Sequence, residues 1–395
     1  MNLLIVADGR SPITRRWISM LQPLGYRIDL ISTYPCPAIE GIREMAVLPV
    51  AFAALSGSQA GSTAANKPST RGNLVSRFRS LASSVRHSLG PWTIPFYQRK
   101  YGALIEAFQP DLVHALRIPF EGMLASYTPA EFPLILSTWG NDLTFHARST
   151  PRMGHSTRHA LMRADALMSD TLRDIRLARE WGLAAGKPAL NVPGSGGINL
   201  SEIQQITQGT TLAELPQVIN PRGFRSGSVR NDTFFQAIPL VLQKHPEVQF
   251  ICPWMAGQRE ALGWVERLGI QKNITLLPML SQADLWREFA RSAMSISVSV
   301  HDGTPNSLLE AMSSGCLPVC GDIESIREWI INNENGLLVD PADPKDLAAA
   351  ILRGLEDENL RRAAASRNLE IIRSRAEVAQ VREKVAKFYE QFIEE

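Results

Sequence analysis

Ser299-Val300-His301-Asp302-Gly303-Thr304-Pro305-Asn306-Ser307-Leu308-Leu309-Glu310-Ala311-Met312 is the stretch on which the reading of this chain turns. Met294 to Val300 reads as a buried strand, Gly303 and Pro305 mark a turn, and a helix opens near Asn306 or Ser307. The first amides of a helix lack intrahelical partners and sit at the positive end of its dipole. Such a turn takes a phosphate. In an open parallel sheet, ligands lie beyond the carboxyl ends of the strands, where this turn falls. Glu310 stands about one turn into the helix, within reach of sugar hydroxyls on a ligand whose phosphates sit at the helix start. A strand, a Gly-bearing turn and a helix also recur without any ligand, so the wider chain has to be read.

Outward from this stretch, short apolar runs alternate with helical patterns. Leu3 to Ala7 is a continuous apolar run, followed by a helical pattern from Thr14 to Leu24, a stop at Gly25 and a second strand from Tyr26 to Ile31. Strand, helix and strand make a βαβ unit, and continuous hydrophobicity suits strands covered on both faces. Further strands are predicted at 110–114, 134–138 and 164–168, then at 248–252, 274–277, 317–320 and 336–339. Helices are predicted over 157–162, 171–181, 235–243, 259–268, 284–290 and 377–392. A second α/β series starts near Gln217, so the chain reads as two α/β halves of similar size.

With 395 residues, 45% hydrophobic and 20% charged, the chain suits a globular protein of two or three domains. A net charge of +2 argues against a nucleic-acid binder. Four cysteines, of which Cys316 and Cys320 lie four apart, make neither a disulfide framework nor a zinc site and are expected to be free thiols. Met1 to Gly9 lacks a basic segment and a cleavage site, and no apolar run approaches the roughly 20 residues that span a bilayer. A cytoplasmic protein is expected. Met45 to Tyr101 contains no acidic residue but holds Lys67, Arg71, Arg77, Arg79, Arg86, Arg99 and Lys100. Residues 56–73 read as a flexible loop. Leu74, Val75, Phe78, Leu81, Val85 and Leu89 then recur at near-helical spacing among arginines, a basic amphipathic pattern. It fits either a helix packed on the sheet or contact with an anionic membrane face.

Taken whole, Asp302 to Met312 resembles the motif of retaining GT-B glycosyltransferases of glycosyltransferase family 4 (group 1), in which two acidic residues are separated by seven. Gly315-Cys316-Leu317-Pro318-Val319, Glu324-Ser325-Ile326-Arg327-Glu328-Trp329-Ile330 and Asn335-Gly336-Leu337-Leu338-Val339-Asp340-Pro341 resemble the same family in the same order. Pro110 to His114 and Gly140-Asn141-Asp142 extend the likeness more weakly. The resemblance implies an α/β GT-B fold: two Rossmann-like domains facing a cleft, with a C-terminal helix crossing back to the first. The expected bounds are 1–205 for the acceptor domain, with a flexible basic segment at about 56–100. They are 206–375 for the nucleotide-sugar domain and 376–395 for the crossing helix.

The resemblance also implies roles. Glu310 would hold ribose hydroxyls and Asp302, where the family usually has Glu, would lie near the donor sugar. Gly303, Thr304, Pro305, Asn306, Ser307 and Leu308 would cradle the diphosphate, with Met279 also on the donor side. Where the family carries Arg and Lys, this chain has Asn220-Pro221-Arg222-Gly223-Phe224-Arg225 and, further on, Arg230. Arg222 is one candidate cation, and Arg225 and Arg230 compete for the other. The acceptor side would use Gly9, Arg10, Ser11, His114, Trp139, Gly140 and Asp142. The family's histidines are absent from Ser11-Pro12-Ile13 and Thr138-Trp139-Gly140, which leaves His114 and His146 as polar groups and no named general base. No Asp-x-Asp motif occurs, so neither metal nor cofactor is expected beyond the nucleotide-diphosphate sugar. The implied activity is retaining sugar transfer to a hydroxyl acceptor in polysaccharide, glycolipid or other glycoconjugate synthesis, with a sugar or lipid-linked acceptor and peripheral contact with the inner membrane face. A nucleotide-sugar epimerase, a sugar phosphorylase and a non-catalytic sugar-nucleotide-binding subunit stay open.

Overall fold

A computed structural model describes residues 1–53, 86–224 and 227–393. Most of the basic amphipathic segment, including Arg77 and Arg79, and the candidate Arg225 lie outside the described residues. The chain forms two compact units, Met1–Gly196 with Arg382–Glu395, and Gly197–Val381.

The first unit holds a parallel sheet of seven strands in the order β3-β2-β1-β4-β5-β6-β7. These are β1 Asn2–Ala7, β2 Arg27–Ser32, β3 Met45–Val47, β4 Leu112–Ala115, β5 Leu134–Thr138, β6 Ala166–Ser169 and β7 Ala189–Asn191. The second unit holds a parallel sheet of six strands, β10-β9-β8-β11-β12-β13. Its strands are β8 Gln217–Ile219, β9 Gln249–Cys252, β10 Ile274–Leu276, β11 Met294–Ser297, β12 Leu317–Gly321 and β13 Leu337–Val339. Both orders reverse direction once, between β1 and β4 and between β8 and β11. A crevice opens at each reversal, beyond the carboxyl ends of the strands. The loop from Asp8 leaves β1 at the first reversal, and the Arg222 and Asp302 loops leave β8 and β11 at the second.

Central strands such as LLIVA are buried on both faces, which explains their unbroken apolar runs. Leu4, Val6, Val113, Leu134 and Leu136 lie in the core of the first unit. Val218, Phe250, Ile296 and Val319 lie in that of the second. A further cluster packs Leu200 and Ile203 against Trp286 and Phe289.

At the C-terminal end of the chain, Val378–Glu390 is helical, and from Arg382 onward it belongs to the first unit. Arg382 Nε donates to the carbonyl of Met20 at 2.7 Å. Tyr389 is fully buried and its hydroxyl meets His114 Nδ1 at 2.7 Å.

Candidate functional site

The site in the second unit is built from the loops that leave β8, β11 and β12 at the carboxyl edge of its sheet. After β8, Asn220 Oδ1 accepts the amide of Arg222 at 3.2 Å, and Asn231 Nδ2 donates to the carbonyl of Gly223 at 2.8 Å. These bonds hold a tight turn in which Gly223 adopts φ +60, a backbone conformation that costs glycine little. The turn presents Arg222, whose side chain is almost wholly buried. After β11, the amides of Arg230 and Val300 bond Val298 and Ser228 across a short antiparallel bridge between Val229 and Ser299. Beneath it runs Gly321 at the end of β12, where a Cβ would fall 2.4 Å from the carbonyl oxygen of Ser299.

Asp302 is the hub of this edge. Its carboxylate forms an ion pair with Arg222 and accepts Ser299 Oγ at 3.2 Å and the Gly303 amide at 3.1 Å. Its carbonyl accepts Ser325 Oγ at 2.8 Å. Arg222 also donates through Nη1 to Ser307 Oγ at 3.3 Å, while its buried Nε has no hydrogen-bond partner among the described residues. Thr304 Oγ1 accepts the indole N–H of Trp329 at 2.9 Å, which pins the loop from below. The helix Asn306–Ser313 then starts behind Pro305 with no side-chain cap and no acid in its first turn. Glu310, on that helix, is buried. Behind the loop, burial pushes the Cys320 thiol up to about 12, with Arg222 and Asp302 acting on it in opposite directions.

The structure thus brings together Arg222, Asp302 and the loop Gly303 to Ser307, with Glu310 on the helix that the loop starts. Asp302 and Arg222, expected on the sugar and the diphosphate respectively, hold each other. Arg230 is placed differently. Its guanidinium is paired twice with Asp232, at 2.9 and 2.8 Å, in a half-exposed surface pair. Its backbone joins the Asp302 loop, but its charge is taken by Asp232. Met279 follows β10 and is exposed. Trp254, which belongs to no motif in the sequence, follows β9 at φ 68 with its side chain half exposed. The Pro253 before it was the visible signal of an unusual turn.

In the first unit, Gly9 packs so closely that a Cβ would meet Cys36 Sγ at 2.4 Å, and its amide bonds Ser32 Oγ at 3.1 Å. Arg10 folds back on Asp8 through bonds of 3.0 and 3.1 Å, and its guanidinium lies 3.3 Å above the Tyr34 ring. Ser11 is the N-cap of Pro12–Leu21 without a side-chain bond to that helix.

His114 corrects the sequence reading. It is fully buried in β4, bonded to Tyr389 Oη at 2.7 Å and Ser137 Oγ at 2.7 Å. Burial holds it down at about 3, so it is a neutral core group with both ring nitrogens occupied. Asp142 is likewise internal. It accepts Arg117 Nη2 at 2.6 Å and the amides of Ile118 and Trp139 at 3.2 Å, fastening the loops after β4 and β5 together. The Gly140 carbonyl accepts Arg173 Nη2 at 2.8 Å. Trp139 lies beside Arg117, 5.3 Å from ring centroid to guanidinium.

His146 stacks on His87, with Nδ1 and Nε2 at 2.9 Å and rings 4.9 Å apart. Burial, aided by Arg117, pushes His146 down to about 4. Arg86, in the stretch that reads as either a packed helix or a membrane-facing one, lies 4.6 Å over the Tyr34 ring and 4.4 Å over the Phe120 ring. Glu121, also unnoticed in the sequence, is buried beside it and accepts Thr33 Oγ1 at 2.7 Å. Burial raises the Glu121 carboxyl against the pull of Arg117.

Among the described residues, no group of three His, Cys, Asp or Glu side chains is arranged to hold a metal ion, and no helix is long and apolar enough to cross a membrane.

Residues 226–357 match the family model described as Glycosyl transferases group 1. The O-antigen chain mannosyltransferase B of Escherichia coli is 32% identical over 113 residues, covering 29% of this chain and 26% of that protein. The phosphatidyl-myo-inositol mannosyltransferase of Mycobacterium tuberculosis is 26% identical over 257 residues, covering 61% of each. The chain therefore spans about a quarter of the first relative's length and 61% of the second's. Anabaena HepE, solved in complex with UDP, superposes with a TM-score of 0.70 at 16% identity, covering 99% of this chain and 100% of that one. The chain accordingly has the GT-B fold, and its residues 226–357 are similar to the glycosyl transferases group 1 family.

Proposed function

We propose that this protein is a retaining glycosyltransferase that moves a sugar from a nucleotide-diphosphate sugar to a hydroxyl of a glycoconjugate acceptor. The observation that carries this reading is the carboxyl edge of the second unit. There, Arg222 bridges Asp302 and Ser307 at the uncapped start of Asn306–Ser313, the helix that also carries Glu310. As the glycosidic bond breaks, negative charge builds on the leaving diphosphate and the sugar gains oxocarbenium character. A preorganised guanidinium and a helix N-terminus stabilise that charge with no reorganisation at the moment of reaction. With retention, the leaving phosphate accepts the acceptor's proton, so the lack of a free histidine at Trp139 is no obstacle. The electrostatic role goes to Arg222, and the chemistry needs no metal. Both named relatives are mannosyltransferases, one for an O-antigen chain and one for phosphatidyl-myo-inositol, which favours a hexosyl donor and a polysaccharide or lipid-linked acceptor.

Calorimetric titration with UDP and GDP tests the donor side. A carboxylate gripping ribose hydroxyls makes charge-assisted bonds worth about 1.5–3 kcal/mol. Glu310→Gln should therefore weaken nucleotide binding about tenfold or more with the fold intact, and unchanged affinity would remove Glu310 from the site. Donor turnover with acceptor extracts separates transfer from epimerisation or phosphorolysis, which would yield an isomerised donor or consume phosphate.

The acceptor reading also includes peripheral contact with the inner face of the plasma membrane. In the described part of the basic segment, Trp92 and Phe96 are 58% and 85% exposed and Leu89 is half exposed, close in sequence to Arg99 and Lys100. Aromatic side chains flanked by cations suit a lipid headgroup layer, where each basic charge contributes about 1 kcal/mol. Co-sedimentation with anionic vesicles should fade as salt rises and fall in a Trp92→Ala, Phe96→Ala variant. A protein that stays in the supernatant at low salt would remove the membrane contact from this reading.

A further inference from the structure

Trp254 has a backbone conformation that an L-residue rarely adopts, and a position that gives it a purpose. It follows β9 at φ 68, where a side chain crowds its own carbonyl, so the surrounding bonds must enforce it. They do: its amide donates to the Pro278 carbonyl at 3.2 Å, and the amides of Met255 and Ala256 donate to the Leu277 carbonyl at 3.1 and 3.0 Å. Met255 is fully buried and acts as the peg. The reversal that drives Met255 inward throws the Trp254 indole outward, where it stays 51% exposed. Core burial does not account for an indole that this turn holds half in water, so its position needs another reason.

Its neighbours supply one. A Cβ on Gly223 would lie 3.2 Å from Trp254 Cβ, so the tryptophan sits directly against the turn that presents Arg222. Met279, which follows β10, is 57% exposed. The sheet order β10-β9-β8-β11 therefore lines up Met279, Trp254, Arg222 and Asp302 along one carboxyl edge. A nucleoside diphosphate with its phosphates at Arg222 can extend along this edge in two directions. Toward β12 it meets Asp322, already paired with Arg327. Toward β9 and β10 it meets an indole face and a thioether, the two surfaces that suit a flat aromatic base.

We propose that Trp254 is the stacking platform for the nucleobase of the donor, with Met279 on the same side of the site. This rests on the nucleotide-sugar reading above and adds to it the residue that recognises the base. Stacking a base on an aromatic side chain is strong enough that its removal costs roughly tenfold or more in affinity.

The test is calorimetry on the whole protein with UDP, GDP and inorganic pyrophosphate as separate probes. Trp254→Ala should weaken the nucleotide that the wild type binds by tenfold or more and leave pyrophosphate unchanged, while Trp254→Phe keeps most of the affinity. Trp254→Gly suits φ 68 without strain, so it should lose the nucleotide equally while melting no lower than the wild type. That variant separates a lost platform from a damaged fold. Nucleotide affinity unchanged in Trp254→Gly overturns the proposal and leaves the donor reading intact. A matching fall in pyrophosphate affinity also overturns it, because Trp254 would then act by holding the Arg222 turn. A wild type that binds neither UDP nor GDP removes the nucleotide-sugar reading and this proposal together.

Discussion

Arg222 and Arg230 have the same side chain and lie eight positions apart, yet their surroundings give them different roles. Arg222 is nearly buried, paired with Asp302 and joined to Ser307. Arg230 is paired with Asp232 where both side chains are about two-fifths exposed. A buried ion pair leaves an uncompensated charge when one partner is removed, whereas an exposed pair contributes about 0.2–1 kcal/mol. Arg222→Ala is therefore expected to weaken a nucleoside diphosphate at least tenfold, with little effect on the free nucleoside. Arg230→Ala should leave both affinities within about twofold. Calorimetry on the two variants checks this, and equal losses would mean that the Arg230 charge also reaches the ligand.

Among the elements, the end of β12 sets how the Asp302 loop sits. Gly321 lies so close to Ser299 that an added Cβ meets backbone, not a flexible side-chain tip. Overpacking of this kind costs about 1–3 kcal/mol. Gly321→Ala should lower the melting temperature and, by displacing Ser299, weaken nucleotide binding as well. Gly263 in the helix Arg259–Leu268 is the contrasting case, with nothing within 4 Å of an added Cβ. Gly263→Ala should stabilise the protein by about 0.5–1 kcal/mol and leave the nucleotide alone. Thermal melting and nucleotide titration on this pair distinguish position from the generic effect of alanine.

For the molecule as a whole, buried histidines shape the response to acid. His114 is held down at about 3 and His146 at about 4, against 6.5 in an unfolded chain. Between pH 6.5 and those values the unfolded state binds protons that the native state refuses. Stability from these groups is fully present above pH 6.5 and is lost as the pH falls. One such proton contributes a slope of about 1.4 kcal/mol per pH unit. His114→Gln should flatten the stability curve between pH 6.5 and 4 by up to that slope. It should also lower stability at pH 7, because the buried hydroxyls of Tyr389 and Ser137 lose an ideal partner. An unchanged slope in urea unfolding across this range would show that His114 is protonated in the native state.

Local patterning was enough to read much of this architecture. The apolar runs at Leu3, Leu134 and Leu317 marked buried parallel strands because a strand covered on both faces needs no polar alternation. Asp302 to Met312 marked the uncapped helix because turn residues and helical periodicity act within a few positions of one another. The edge strands Met45–Val47 and Ala189–Asn191 went unread because three half-exposed residues carry no period. The helices Pro344–Glu356 and Glu358–Arg375 also went unread, although Asp343 and Asp357 cap them with bonds of 2.8 Å to the amides of Lys345 and Leu360. Only the tertiary structure decided which polar groups are internal. His114 and Asp142 resemble site residues in sequence, but His114 is closed off by Tyr389, 275 positions away, and Asp142 by Arg117 on the loop after the neighbouring strand. The pairing of Arg222 with Asp302, and the outward turn of Trp254, also arise from contacts between loops far apart in sequence. Backbone periodicity records which face of an element is apolar. The partner of a given charge depends on which strand ends the sheet order sets side by side.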